Sequence, residues 1–168
     1  MLRRKELSDL ISFTINAHEA FARKPSKKVR LWDESTPYSI HSIWCAMTLL
    51  HETNLTEKIR VICSQALLLH DIMEDTVQDL PVGIDPQVKM LVNEVTFAST
   101  EESMQRIWEK SDQAKLITLY DMTSNMMDGV WMSPEQRNVY GLHTKKLSDF
   151  VEKTFGSLNI VSIARLFI

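Results

Sequence analysis

The sequence predicts an all-α protein, and three observations support this fold class. Glycine is scarce, at 4 of 168 residues, and segments that alternate β-branched and polar residues are rare. Apolar residues instead recur at the spacing of one helix face, and residues that commonly begin helices precede these segments. A chain of this length suits one domain with a real hydrophobic core. We therefore expect a single bundle of about seven or more helices over residues 1–168.

Start signals place the helices in order along the chain. They run from about Leu7 to Ala22, from Thr36-Pro37 to about Thr53, from Thr56 to near Asp71, from Asp85-Pro86 through Val95, from Ser99 through Trp108, from Lys115 to Met126, and from Ser133 through Val151. Five of these starts carry Ser, Thr or Asp as the N-cap, and proline follows the cap in three of them. Ser99 and Glu102 have the spacing of a capping box. The apolar tail from Leu158 to Ile168 predicts either a last helix on the core or a dimer surface.

Composition and charge exclude several classes of protein. The net charge of −3 argues against a nucleic-acid binder, which would normally be basic over one face. No stretch approaches the ~18 apolar residues of a membrane span, and the N-terminus MLRRKELSDL lacks the apolar run of a signal peptide. We therefore expect a soluble, cytoplasmic protein without a nucleic-acid or membrane partner. Cys45 and Cys63 are expected to be buried free thiols rather than a disulfide or a zinc site.

The candidate chemistry begins where an apolar helix ends in two polar residues. His70 and Asp71 follow the run ICSQALLL, and Glu74 and Asp75 come within the next turn. Carboxylates are almost never buried without a partner, and a metal cation is a common partner for an inward-facing imidazole–carboxylate pair. The pair therefore predicts a metal site whose remaining ligands come from other parts of the chain.

Two more residues could complete the ligand set. His41 lies among apolar residues of the second predicted helix, and Asp121 lies in the middle of KLITLYDMTSNMM, with Asn125 one turn along the same face. A set of two histidines and two aspartates suits Mn²⁺, Mg²⁺ or Fe²⁺ better than structural zinc, and it leaves positions for water and substrate. The alternative is that these are hydrogen-bonded core histidines and aspartates that act as caps or salt bridges.

The order of these residues resembles that of the HD-domain phosphohydrolases. The resemblance is greatest to the hydrolase domain of the Rel/SpoT alarmone enzymes and to their stand-alone relatives, the metazoan SpoT homologues. The matching segments are TPYSIHS at 36–42, ALLLHDIMEDT at 66–76, MLVNEVT at 90–96 and KLITLYDMTSN at 115–125. Together they cover roughly residues 15–145, and they imply an HD-type helical bundle.

The resemblance also implies roles for individual residues. One divalent ion, in this family usually manganese, would be held by His41, His70, Asp71 and Asp121. Glu74 and Asp75 would orient and activate the attacking water. Nucleotide contacts are implied for Arg30, Asn125 and, if a short deletion follows Asp128, Tyr140.

A basic cluster precedes the second predicted helix and consists of Arg23, Lys24, Lys27, Lys28 and Arg30. It is either a solvated loop or a surface that attracts a polyphosphate, with Lys27 and Lys28 as candidate substrate contacts.

The chain departs from the family in its substrate contacts more than in its ligands. Thr118 stands where relatives usually carry lysine, Leu31 where they often carry a basic residue, and Pro25 where they often carry histidine. The resemblance implies a metal-dependent guanosine 3′,5′-bis(diphosphate) 3′-pyrophosphohydrolase that releases pyrophosphate. The departures keep open another nucleotide substrate, such as NADPH or a deoxynucleotide. A catalytically silent, nucleotide-binding HD module that regulates a partner, a structural protein without a site, and a homo-oligomer also remain open.

Overall fold

The computed structural model describes residues 4–168, and over that range the protein is helical, with strand pairing limited to isolated bridges. Its α-helices in this range are α1 Arg4–Phe21, α2 Ser39–Leu50, α3 Glu57–Leu69, α4 Ile72–Asp75, α5 Pro86–Val95, α6 Thr100–Arg106, α7 Asp112–Met127, α8 Pro134–Phe155 and α9 Asn159–Ala164. Short 3₁₀ turns precede α2, follow α6 and follow α7. The predicted all-α class is confirmed.

The core is built around α3, which packs against α1, α2, α5 and α7. Leu67, Leu68 and Leu69 are consecutive and all fully buried, so α3 is covered on every side where it approaches the candidate site. The middle of α7 is buried in the same way through Leu116, Ile117 and neighbouring residues. A helix that is apolar all round belongs in the centre of a domain. His70, which directly follows α3, and Asp121 of α7 are therefore attached to buried helices of the core.

Four predicted helix starts are confirmed by their caps. The side-chain oxygens of Thr56, Asp85, Ser99 and Ser133 accept a backbone N–H of the first helical turn. Ser133 forms a full capping box with Gln136. The box predicted at Ser99 forms only in part, because the Glu102 carboxylate accepts the N–H of Ala98, one residue before the cap.

The predicted start of α2 at Thr36-Pro37 is wrong, because these residues form hydrogen bonds with the loop that precedes them. Arg30 N–H donates to the Thr36 carbonyl and Tyr38 N–H to the Lys28 carbonyl, each over 2.8 Å, and α2 begins only at Ser39. The Thr36 hydroxyl donates to the Asp33 carboxylate instead of capping a helix. The loop between Lys28 and Tyr38 is thereby folded back on itself and holds Arg30 and Tyr38 side by side.

The C-terminal segment forms a last helix that packs on the core, which was one of the two predicted alternatives. Ile160, Val161 and Ala164 of α9 are buried. The N-cap residue of α9 provides no side-chain hydrogen bond, and the Glu52 carboxylate takes the place of this cap. This carboxylate is 1% exposed and accepts the backbone N–H groups of Asn159 and Ile160, the Asn159 side-chain amide and the Tyr120 hydroxyl.

Two further expectations can be compared with the structure. Cys45 and Cys63 are buried free thiols, as predicted. Within residues 4–168, no helix has the length and apolar character needed to cross a bilayer.

Acid is expected to destabilise the fold through His143, a residue of α8 that is 8% exposed and packs edge-on against Trp108. Burial, with a smaller effect of the Lys146 charge, lowers the pKa of His143 to about 4 from 6.5. Between those values the unfolded chain binds the proton first, so the contribution of neutral His143 to stability is complete above pH 6.5 and is lost as the pH drops toward 4. Urea unfolding of the native protein and a His143→Leu variant across this range measures the effect. The native protein should lose stability more steeply, and parallel curves would contradict the prediction.

Candidate metal centre and substrate cleft

Side chains from α2, α7 and the segment between α3 and α4 converge on one point. Ligand atoms of His41, His70 and Asp121 all lie within 4.8 Å of one another. Asp121 Oδ1 is 3.0 Å from His41 Nε2 and 3.6 Å from His70 Nε2. Asp71 Oδ2 lies 3.3 Å from His70 Nε2 and 3.6 Å from His41 Nε2. The structure thus brings together all four of the predicted ligands.

The helix break after Leu69 explains how adjacent residues can both face this point. α3 ends at Leu69 and α4 begins at Ile72, so His70 and Asp71 form the corner between the two helices. In a continuous helix, neighbouring side chains point about 100° apart. The backbone angles of both residues stay in the right-handed helical region, with ψ of Asp71 at −7°, and both side chains lie within 3.6 Å of the His41 or Asp121 side chain.

Hydrogen bonds at Nδ1 orient both imidazoles. His70 Nδ1 lies 2.8 Å from the Leu67 carbonyl, and His41 Nδ1 lies 2.8 Å from the Ser124 hydroxyl. A carbonyl can only accept, so His70 carries a proton on Nδ1, and in its neutral form the Nε2 lone pair faces the cluster. This is the arrangement that metal-binding histidines commonly use.

The donor set fits a divalent cation, because polar atoms are buried at its centre without partners. His70 Nε2 and Asp71 Oδ2 have no hydrogen-bond partner among residues 4–168. Leaving such atoms unsatisfied costs about 1–3 kcal/mol each. Two nitrogens and carboxylate oxygens in one place would satisfy an ion such as Mn²⁺ or Mg²⁺.

The electrostatics of the cluster lead to the same conclusion. Burial opposes the charged form of His70, but the carboxylates of Asp71 and Asp121 outweigh it and raise the pKa of His70 to about 10. Burial likewise opposes the charged form of Asp121, but the hydrogen bond with His41 and the charges of the His70 and His41 imidazoles hold the pKa of Asp121 far below its usual range. The cluster therefore needs positive charge. A divalent cation would supply it and release the imidazole protons.

The cluster lies in a cleft of about 250 Å³. Besides His70, Asp71 and Asp121, the cleft is lined by Lys27, Arg30, Leu31, Tyr38, Glu74, Asp75, Phe97, Met104, Met122, Asn125, Asp128, Trp131 and Tyr140, among others. A larger cavity of about 1010 Å³ lies between α1, the start of α3 and the loop before α5. None of the proposed ligands lines that cavity, so the smaller cleft is the candidate site.

Glu74 and Asp75 take different places in this cleft. The Glu74 residue as a whole is exposed, but its carboxyl group lies at the cleft wall, where one oxygen accepts the Phe97 N–H over 2.7 Å. Burial of the carboxyl group, reinforced by the charge of Asp71, raises the pKa of Glu74 to about 7. Asp75 is 6% exposed and forms an ion pair with Lys27 over 2.9 Å.

The predicted substrate residues do not all reach the cleft. Lys27, Arg30, Asn125 and Tyr140 line it, whereas Lys28 is exposed outside the lining. Tyr38, for which the sequence predicted no role, lies close to both cations, with Lys27 Nζ 5.3 Å and the Arg30 guanidinium 5.1 Å from its ring centre.

A hydrogen-bonded ladder runs from the cluster along α7. Asn125 Nδ2 donates to Asp121 Oδ1 over 2.7 Å, and Arg30 donates to Asn125 Oδ1 over 3.0 Å. Arg30 Nε also donates to the carboxylate of Asp128. Asp128 was not assigned a role from the sequence. The sequence feature that could have indicated it is the spacing of seven residues after Asp121, which is about two helical turns.

The chain is similar to several known proteins. Guanosine-3′,5′-bis(diphosphate) 3′-pyrophosphohydrolase MESH1 of Homo sapiens is 34% identical over 131 residues, which cover 72% of each chain. The proteins of the same name from Mus musculus and Danio rerio are 33% and 35% identical, each over 68% of both chains. A solved structure described as a metazoan ortholog of SpoT that hydrolyzes ppGpp superposes with a TM-score of 0.71. It is 23% identical, and the match covers 99% of this chain and 96% of that one, which establishes the shared fold. No family model matches the chain.

The chain shares its helical fold with that structure, its imidazole–carboxylate cluster could hold a metal ion, and its curated relatives place it in the class of HD-type hydrolases. Within that class, the chain belongs to the family of small SpoT-type hydrolases named MESH1. The resemblance drawn from the sequence is confirmed.

Proposed function

We propose that this protein hydrolyses guanosine 3′,5′-bis(diphosphate) at the 3′ position and releases pyrophosphate. The observation that carries the proposal is the convergence of His41, His70, Asp71 and Asp121 in a cleft, in a chain of the MESH1 family. These four residues would hold one divalent cation, and manganese(II) is the first ion to test. The two free, buried thiols suit a reducing compartment, so we place the reaction in the cytoplasm.

A cation in this position would polarise a phosphoryl oxygen and make water nucleophilic near neutral pH. Glu74 has one oxygen fixed by the Phe97 N–H, so its carboxylate can orient the attacking water and accept its proton. Asp75 is bound to Lys27, and it therefore positions that ammonium group beside the phosphates. Arg30, Asn125 and Tyr140 would contact the nucleoside, while Lys28 would add only long-range attraction as part of the basic cluster.

A nucleotide panel tests the proposed function. The purified protein is depleted of metal, reloaded with Mn²⁺ and incubated with guanosine 3′,5′-bis(diphosphate), NADPH and deoxynucleoside triphosphates. We expect guanosine 5′-diphosphate and pyrophosphate in equal amounts from the first substrate, and none after chelation. If Mn²⁺, Mg²⁺ and Fe²⁺ all fail to support release from any nucleotide, the proposal is wrong, and nucleotide binding without turnover would favour a regulatory module.

A second candidate substrate is a nucleotide with a single phosphate beside the metal, such as NADPH. It is favoured by the charges of the described cleft, because its two basic lining residues, Lys27 and Arg30, are each paired with a carboxylate. Little positive charge is left for a second phosphate. Thr118 also stands where the resemblance implies a lysine. Release of orthophosphate from NADPH, at a higher kcat/KM than pyrophosphate release, would select this candidate.

A further inference from the structure

The ladder along α7 gives the cleft a direction. Asp121 and Asn125 lie on one face of α7, and Asp128 follows the last residue of this helix, so that at 1.5 Å per residue it is about 10 Å from Asp121 along the helix axis. The chain then makes a 3₁₀ turn, Gly129–Trp131, whose last residue lines the cleft. A molecule whose phosphate lies at the cluster and which follows this ladder therefore points toward Trp131.

Charge is balanced where the ladder ends. The guanidinium of Arg30 is bound by the Asp128 carboxylate and the Asn125 amide, so this pair offers little net charge to a further phosphate. Two apolar side chains with exposed surface, Leu31 at 47% and Trp131 at 40%, line the cleft there. An exposed tryptophan beside a neutral end of a cleft suits a flat, uncharged ring.

We propose that Trp131 stacks on the nucleobase of the substrate and sets how tightly the nucleoside is held. This inference rests on the proposed function, because it takes the phosphate to lie at the metal cluster. Stacking on an aromatic side chain tolerates every base, since each has a π-face. Trp131 therefore favours nucleotides over bare phosphates without choosing between bases.

Three variants of the metal-loaded protein test the role of Trp131. Trp131→Ala removes the ring, Trp131→Phe keeps an aromatic surface, and Trp32→Ala removes an exposed tryptophan that does not line the cleft. Calorimetry measures the dissociation constants of guanosine 5′-diphosphate and of pyrophosphate, which has no base. We expect Trp131→Ala to weaken the nucleotide by about tenfold or more with pyrophosphate unchanged. Trp131→Phe should stay within about threefold, and Trp32→Ala should match the native protein.

Two results would overturn the inference. One is native affinity for guanosine 5′-diphosphate in Trp131→Ala, and the other is an equal loss for the nucleotide and pyrophosphate, which would indicate a distorted site. Steady-state kinetics separate this failure from failure of the proposed function. If the native protein turns over guanosine 3′,5′-bis(diphosphate) and Trp131→Ala does so with the same KM, only the stacking role is wrong. If the native protein turns over no nucleotide, the proposed function itself is wrong.

Discussion

Replacing Asp121 with alanine is expected to abolish both metal binding and turnover. Asp121 Oδ1 lies within 3.6 Å of both imidazole Nε2 atoms, so its removal takes away the carboxylate that links them. A bound metal supplies several kcal/mol of charge stabilisation in the transition state, and its loss should slow turnover by about a thousandfold or more. Metal content of the purified variant by mass spectrometry, followed by initial rates of pyrophosphate release with Mn²⁺, measures both effects.

Glu74→Gln is the matched control, because it changes a cleft carboxylate outside the ligand cluster. It should keep the metal while turnover falls by about 10²–10⁴-fold, the usual contribution of a general base. A chelator should lower the melting temperature of the native protein and of Glu74→Gln, because bound metal stabilises the fold by mass action, but should leave Asp121→Ala unchanged. Full activity in Asp121→Ala would refute the ligand assignment. Retained activity in Glu74→Gln would only move the water-activating role to Asp75.

Local chemistry explains which parts of the fold could be predicted from the sequence. Thr56, Asp85 and Ser133 begin helices as expected, because each cap bonds a backbone N–H only two or three residues away. Whether Thr36 begins a helix could not be predicted in this way. Its backbone and hydroxyl are bound by Arg30 and Asp33, and that pairing depends on how the loop folds back.

The same distinction applies to the candidate site. The four proposed ligands were found because they interrupt apolar helices with polar residues in a recognisable order. Ser124 and Asp128 could not be predicted, although the Ser124 hydroxyl is hydrogen-bonded to His41 Nδ1 and the Asp128 carboxylate accepts a hydrogen bond from Arg30. Their partners come from segments more than 80 residues away in the sequence, so the packing of α7 against α2 and the preceding loop decides these contacts.

Glu52 is the clearest case of a residue whose role only the tertiary structure reveals. It follows α2 as a single acidic residue in a turn, yet it is 1% exposed and accepts four hydrogen bonds. Three of the donors come from Asn159 and Ile160, more than 100 residues later. A carboxylate at a helix N-terminus satisfies N–H groups that have no partner within the helix. Glu52 thus attaches α9 to the core, and through Tyr120 it also attaches the residue that precedes Asp121.

Replacing Glu52 with alanine is therefore expected to lower the free energy of unfolding by about 3–5 kcal/mol, because buried donors on α9 and Tyr120 lose their acceptor. Such a loss would be a large part of the total stability of a domain of this size. Urea unfolding followed by circular dichroism measures it. Glu52→Gln keeps one acceptor oxygen and should lose less, which keeps the comparison measurable if the alanine variant does not fold. Alanine at the exposed Glu19 is the surface control and should change stability by about 0.5 kcal/mol or less. If Glu52→Ala unfolds at the same urea concentration as Glu19→Ala, the carboxylate does not hold α9 to the core.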